Sequence, residues 1–476
     1  MPVNLNAPLA WKNVDADEAQ MLNDLQGNIL KGHGRDLTWN LFLHFDVAKR
    51  AAARAFVHAI AADLTTALYQ LTANGIYKST GQSAAVFTAF FLSARGYGAL
   101  GRTDLKPTAN AQPFEDGLKT RAPNVNDPPV DTWNPTFRDD IHAMLLIADD
   151  NTAVRDAKRA QVLALIAASA GAVQLLGEEE GRALRNHDDH GIEHFGYVDG
   201  RSQPLMLVED WEHERDLHGG VGQWNPKIPL GQVLVPCPGS ASVNGHGSYF
   251  VFRKLEQNVR GFKKDEEQLA EFLELTANGF DPELAGAMVV GRFENGQPVS
   301  LKKVAGNLKG KTVPNNFNFQ ADPNGLKCPF AGHIRKSNPR GDTETRFGVP
   351  AGTEIAHLMA RRGITYGFRT VHPSDEEITF EDMPTGDVGL LFMAYQSNLA
   401  DQFEFTQQSW VNNQDFIATA VGIDPVIGQT PGGNEQHWPD QWGVKLKAEG
   451  YDFSDWVTMQ GGEYFFAPSI SMLKTM

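Results

Sequence analysis

Two separated sets of short apolar strands, each followed by a helix, most constrain how this chain can fold. Aromatic or aliphatic runs with bounded ends are typical of strands, and apolar residues at helical spacing follow them. The predicted strand–helix units are 39–45 with 47–62, 85–92 with a short helix from 94, 143–147 with 152–168, 248–252 with 258–275, and 388–395 with 400–410. Strands that alternate with helices in two sets of similar plan predict two α+β domains.

Three tracts rich in Pro, Gly and Asn separate these units, at 106–135, 213–247 and 305–350. Long segments without regular structure in a folded protein are usually functional or disordered. We expect the domain boundary in the second tract, near residue 230. The predicted domains are therefore 1–230 and 231–476.

The charge balance excludes two classes of partner. The chain has 476 residues with 42 Lys and Arg against 58 Asp and Glu, a formal net charge of −16. A general nucleic-acid or anionic-membrane binder needs a positive face, so neither partner is expected. No secretory or twin-arginine signal is visible, and the uncharged stretch 160–177 contains Gln and Ser and is expected to be a buried amphipathic helix. We expect a soluble, cytoplasmic protein.

A dense polar cluster follows the first set of strands. Three histidines and three acidic residues lie between His187 and His194, and such ligands could hold zinc or non-haem iron. The alternative is a solvated polar loop, which we prefer for His187, Asp188 and Asp189. Asp199 lies between Gly196 and Gly200, where glycines allow a tight turn and close approach of a flat ligand. Its alternative role is to cap that turn.

A second candidate site contains a histidine among small residues. His333 follows Ala331 and Gly332, which leave room for a macrocycle, and a basic run reaches Arg340. An imidazole facing a porphyrin, with basic side chains near the propionates, would have this pattern. The alternative is a structural histidine.

A third candidate is the pair Arg361 and Arg362. Adjacent residues of a strand point to opposite faces, so both cannot enter one pocket. Either the pair is an exposed charge pair or one arginine points into a cleft and the other points away.

These motifs together resemble the dye-decolourising (DyP-type) peroxidases, and the resemblance spans most of the chain. It rests on five segments in family order, at 24–35, 196–200, 322–335, 361–364 and 389–392. The resemblance implies an α+β fold of duplicated ferredoxin-like domains, with antiparallel sheets flanked by helices. It also implies haem b (iron protoporphyrin IX) in the C-terminal half, so that 1–230 carries the Gly-x-x-Asp-Gly loop and 231–476 binds haem.

The resemblance also implies roles for individual residues. His333 would be the axial iron ligand, Asp199 the distal acid–base and Arg361 the distal arginine. Arg340, Leu390 and Phe392 would contact the cofactor. The acidic partner of His333 is left open among three candidates, Asn398, Asp401 and Glu404.

The implied function is reduction of hydrogen peroxide with oxidation of bulky dyes or phenolic compounds, through an oxyferryl porphyrin radical. Two alternatives remain at this point. One is a haem-binding or haem-handling protein of the same fold with little peroxidase turnover. The other is a non-haem metal hydrolase that uses the cluster between His187 and His194. The sequence does not determine the oligomeric state.

Overall fold

The N-terminal half of the sheet has the βαββαβ order of a ferredoxin-like unit. The computed structural model describes residues 2–81, 84–217, 219–274, 281–350, 352–375, 378–429, 435–453 and 455–476. The elements of this unit are β1 (Leu37–Phe45), α1 (Arg50–Ala61), β2 (Phe87–Leu92), β3 (Ala143–Asp149), α2 (Thr152–Ala168) and β4 (Val173–Arg182). The strands pair antiparallel in the order β2-β3-β1-β4, with Leu41 opposite Leu145.

The C-terminal half repeats the same plan. Its elements are β5 (His246–Gln257), α3 (Val259–Phe272), β6 (Ile364–Tyr366), β7 (Gly389–Gln396), two π-helical turns (Ala400–Glu404 and Thr406–Val411) and β8 (Val457–Ala467). The strand order β6-β7-β5-β8 corresponds to that of the first half, and all pairs are antiparallel. The predicted duplication of a ferredoxin-like unit is confirmed.

The two halves form one curved sheet. Phe466 of β8 pairs with Leu92 of β2, which joins the halves in a single strand order. At the other ends of that order, β4 contacts β6. A β-carbon at Gly181 of β4 would lie 2.5 Å from Ile364 of β6, so the absence of a side chain allows this approach. The sheet therefore curls into an α+β barrel whose interior is the main hydrophobic core.

The other α-helices lie in the connections between strands, except one before β1 and one after β8. They are Ala16–Asp24, Ala67–Thr80, Ala94–Ala99, Gln112–Asp116, Leu118–Arg121, Pro135–Arg138, Val208–Leu217, Pro282–Val290, His333–Ser337, Asp342–Phe347, Gly352–Ala356 and Ile470–Lys474. In the described ranges, no helix combines the length and the apolar character that crossing a bilayer requires.

One expected helix is in part a strand. The predicted helix 152–168 is confirmed as α2 (Thr152–Ala168), but the stretch 160–177, interpreted as one buried amphipathic helix, continues into β4, which begins at Val173. Between them, Ala170 and Gly171 adopt positive φ angles of 52° and 80°, which reverse the chain. The domain boundary near residue 230 stays a prediction; the four core strands of each half lie on either side of it.

Candidate active site

A cavity of about 280 Å³ collects the residues that the sequence motifs singled out. Segments from both halves line it, because the Gly-x-x-Asp-Gly loop of the first half folds over the strands of the second. The predicted site residues that line the cavity are Asp199, His333, Arg340, Arg361, Leu390 and Phe392. Residues from four of the five motifs, together with Arg340, therefore converge on one space.

His333 begins the short helix His333–Ser337 and is held by a buried carboxylate. Its Nδ1 lies 2.8 Å from Oδ2 of Asp424, whose side chain is fully buried. The other oxygen of Asp424 accepts hydrogen bonds from the backbone N–H groups of Val426 and Ile427, at 2.8 and 3.0 Å. This network fixes the imidazole and leaves Nε2 as the nitrogen that can ligate a metal.

Charge and burial act on His333 in opposite directions. Burial lowers the pKa of the imidazole, but the carboxylate and hydrogen bond of Asp424 outweigh burial, and the pKa is raised above 6.5. The neutral tautomer that suits this geometry carries its proton on Nδ1 and donates it to Asp424. Asp424 therefore raises the basicity of Nε2, the second nitrogen of the ring.

The three sequence candidates for this acidic partner were wrong. Glu404 instead pairs with Arg121 and accepts a hydrogen bond from the Tyr464 hydroxyl at 3.0 Å. Asn398 donates to Asp401 near the start of the π-helical turns. The partner lies further along the chain, in a loop after these turns, where no sequence pattern marks it.

Asp199 lies in a tight loop at the cavity wall. Gly196 and Gly200 have φ angles of +100° and +74°, conformations that residues with a β-carbon rarely adopt. The backbone N–H of Asp199 donates to the carbonyl of Gly191 at 3.0 Å. The residue is exposed towards the cavity, so its carboxylate is available to a small molecule there.

Arg361 and Arg362 point in different directions, as the strand pattern predicts. Arg361 lies in the short strand Ala360–Arg361, which pairs with β7. Its backbone N–H donates to Oε1 of Gln203 at 3.1 Å, and its guanidinium donates to the carbonyl of Ser202 at 3.3 Å. The side chain lines the cavity beside the loop that carries Asp199.

The Arg362 guanidinium instead forms hydrogen bonds with backbone carbonyls. It donates to the carbonyls of Asn28, Ile29 and Arg361, at 2.8, 3.0 and 2.8 Å. Asn28 and Ile29 belong to the segment 24–35, the first of the five motifs. Arg362 therefore anchors that motif to the backbone of Arg361.

Buried guanidinium groups make one side of the cavity positive. Arg340 stacks on Trp224 and Phe317, at 4.5 and 4.2 Å from the ring centres. Burial and the neighbouring Arg292 lower the pKa of Arg340, and burial lowers the pKa of Arg292 to about 9.

Carboxylates do not balance this charge. Among the described residues, the ion pairs of Arg201, Arg292 and Arg340 are limited to Arg201 with Glu214, at 2.8 Å. Burying unpaired charge is costly, so this wall suits an anionic ligand.

Strand β7 supplies an apolar wall. Leu390 and Phe392 are half-buried and line the cavity, whereas the alternating Leu391 and Met393 are buried in the core. Period-two alternation therefore places the first pair on the cavity face.

The histidine cluster of the first half does not form one site. His194 is buried, and its Nε2 bonds to the carbonyl of Tyr366 at 2.8 Å. In the part of the chain that the structure describes, the metal-ligand grouping that includes His187 contains His372 and Asp375, and neither His190 nor His194. This arrangement does not favour the hydrolase alternative.

Sequence reasoning missed several cavity residues. Arg201 and Gln203 directly follow the Gly-x-x-Asp-Gly motif, and this proximity is a signal that could have found them. Arg292 and Asp424 carry no local signal, because they reach the site through folding alone.

The chain resembles characterised peroxidases over its full length. The family model described as the DyP dimeric alpha+beta barrel domain matches residues 24–181. A curated relative, the multifunctional dye peroxidase DyP2 of an Amycolatopsis strain, is 45% identical over 100% of both chains. The solved structure of DyP2 from Amycolatopsis covers 100% of both chains with a TM-score of 0.92 and 43% identity.

A further solved structure is a dye-decolorizing peroxidase in complex with 2,6-dimethoxyphenol. It is 27% identical, covers 96% of this chain and 99% of its own, and has a TM-score of 0.76. The barrel fold and the full-length identity agree with the motifs, which the cavity brings together. The chain therefore belongs to the dye-decolourising peroxidases and is a DyP-type peroxidase enzyme.

Proposed function

We propose that this peroxidase binds haem b through His333 and uses hydrogen peroxide to oxidise bulky dyes and phenolic compounds. One observation carries the proposal: a histidine fixed by a buried carboxylate shares a cavity with Asp199 and Arg361. A haem carrier of the same fold has no need for an acid–base group and a fixed positive charge together.

The residues of the cavity fit haem b. Nε2 of His333 is the open ligand, because Nδ1 is bonded to Asp424. The buried guanidinium groups of Arg292 and Arg340 suit the two propionates, and the Leu390 and Phe392 side chains suit the apolar macrocycle. When bound, haem b supplies the two electrons that reduce peroxide, which organic donors then replace one at a time.

The residues around the cavity would handle the proton and the charge. Asp199 accepts a proton from one oxygen of hydrogen peroxide and returns it to the other, so that the leaving group is water. Arg361 keeps its positive charge and stabilises the negative charge that develops on the leaving oxygen. Asp424 holds the Nδ1 proton of His333, which orients Nε2.

The donor class is inferred from relatives. One relative bears the name dye peroxidase, and another was solved with a phenol bound. Phenols and dyes give up single electrons, which matches a site that must be re-reduced in two steps. A cavity of about 280 Å³ is small for a bulky dye beside a macrocycle, so such donors would react from the surface.

An absorption experiment tests the proposal. Protein purified with haem is expected to show a Soret band that changes on addition of peroxide and returns when 2,6-dimethoxyphenol is added. A Soret band without turnover would favour the haem-handling alternative, and protein that takes up no haem would contradict the proposal. The variant His194→Ala is expected to show the same spectra as wild type, because His194 bonds to Tyr366 and does not line the cavity.

A further inference from the structure

Two histidines and an aspartate form an exposed cluster outside the haem cavity. Each of His187, His372 and Asp375 offers one ligand atom within 4.8 Å of the others. Nε2 of His187 lies 3.7 Å from Oδ1 of Asp375, and the two imidazole rings stack with their centres 5.6 Å apart. We propose that this cluster, the imidazole–carboxylate triad, binds a divalent transition metal of the zinc or copper type.

The backbone on both sides holds the triad in place. His187 lies in the turn of the hairpin formed by Leu184–Arg185 and Gly191–Ile192. In that turn the Asn186 side chain accepts hydrogen bonds from the N–H groups of Asp188 and His190, at 3.1 and 2.9 Å. The backbone at His187 therefore does not depend on a metal for its position.

The opposite side of the triad is a compact turn. Oδ2 of Asp375 accepts the backbone N–H of His372 at 3.1 Å, which leaves Oδ1 directed at His187. A hydrogen bond already joins the two segments at a point nearer to the barrel, since Arg369 donates to the carbonyl of His194 at 2.7 Å. Folding alone therefore brings the three ligands together from distant parts of the sequence.

The ligand chemistry selects the metal class. Two imidazole nitrogens and one carboxylate oxygen suit Zn²⁺ and Cu²⁺, whereas Ca²⁺ and Mg²⁺ favour sites built from oxygen. His187 and Asp375 are exposed, so water completes the coordination. Three protein ligands with water are fewer than the four of a structural zinc centre, and binding is expected to be reversible.

One contact opposes binding. The N–H of Ser374 donates to Nδ1 of His372 at 3.1 Å. Ligation through Nδ1 would break this bond directly, and ligation through Nε2 would move the ring proton to Nδ1, opposite another donor. The bond is of ordinary length and part-buried, so a metal has to displace one hydrogen bond when it binds His372.

A metal here would connect two segments that flank the active-site loop. The hairpin that carries His187 accepts the N–H of Asp199 at the carbonyl of Gly191. The turn that carries His372 follows β6. Because the metal binds the folded arrangement and not the unfolded chain, it is expected to raise stability.

Calorimetric titration of the haem-loaded protein with Zn²⁺, after removal of metals with EDTA, tests the proposal. Wild type is expected to bind one Zn²⁺ per chain. His187→Ala, His372→Ala and Asp375→Asn are each expected to weaken binding by roughly tenfold or more. His190→Ala, in the same hairpin, is the matched control and is expected to bind like wild type.

A second measurement covers a variant that folds poorly. Zn²⁺ is expected to raise the midpoint of thermal unfolding in wild type and His190→Ala, and not in Asp375→Asn, which keeps the size of the side chain. Absence of saturable Zn²⁺ binding to wild type, or wild-type affinity in all three ligand variants, would overturn the proposal. Neither result depends on peroxide or on haem chemistry, so the proposed function is tested separately.

Discussion

Two adjacent arginines should have separable roles, and replacing each in turn tests this. Arg361 lines the cavity and donates to one carbonyl at 3.3 Å. Arg362 donates to three carbonyls, and burial lowers its pKa to about 10. We expect Arg361→Leu to lose activity at nearly normal stability, and Arg362→Leu to lose stability first.

The magnitudes follow from these contacts. Removing a charge that stabilises a developing anion costs about 2.7–4 kcal/mol in the barrier, so Arg361→Leu should slow peroxide reduction roughly 10²–10³-fold. Its long hydrogen bond contributes about 1 kcal/mol or less to stability. Arg362→Leu leaves three carbonyls without their donor, two of them on the buried residues Asn28 and Ile29. Replacing Arg362 also removes the cost of burying its charge, which offsets part of that loss. We expect the free energy of unfolding to fall by about 2–4 kcal/mol.

Stopped-flow mixing with peroxide measures the first effect, and urea unfolding of the same preparations measures the second. Rates are compared per bound haem, so that partial cofactor loss in either variant does not count as slow chemistry. If Arg362→Leu were the slower enzyme and Arg361→Leu the less stable protein, the assignment of the two side chains would be refuted.

Three further predictions concern single residues. His333→Ala should lose most of its haem or change the Soret band, and a normal band at normal haem content would remove His333 from the ligand position. Asp199→Asn should keep normal haem content but react with peroxide roughly 10²–10⁴-fold more slowly in rapid mixing. If Asp199 only caps the turn, the variant should instead be less stable and react with peroxide at the wild-type rate. Burial raises the pKa of Glu193 from 4.5 to about 7. The contribution of this carboxyl to the free energy of unfolding is therefore fully present below pH 4.5 and is lost as the pH rises through 7. Urea unfolding at pH 5 and pH 8 should show wild type losing up to about 3 kcal/mol relative to Glu193→Gln, and parallel losses would contradict this.

The strand–helix units could be predicted because their strands are apolar and bounded. Three of the eight barrel strands, β4, β6 and β8, escaped prediction for physical reasons, and β6 has only three residues. β4 contains three consecutive glutamates, whose charges are met by Arg159, Lys254 and Arg155 from neighbouring elements. β8 contains a bulge next to Gly461, and adjacent glycines break the strand pattern.

The candidate site was predictable only where its residues lie in compact motifs. Asp199, His333 and Arg361 each have sequence neighbours that indicate a site, namely glycines, small residues and a second arginine. Asp424 lies 91 residues from His333 in the sequence, and it contacts His333 only because folding places its loop beside the helix His333–Ser337. Charge compensation across such distances leaves no trace in sequence spacing.

The position of β8 in the sheet has a consequence for synthesis of the protein. This strand comes last in chain order, yet it lies between β5 and β2, in the middle of the strand order. While the ribosome is still making it, the first half can pair its own four strands but leaves the apolar β2 (Phe87–Leu92) as an open edge. Such an edge is a template for pairing with another chain. The nascent protein is therefore expected to need chaperone protection of this edge until β8 has emerged.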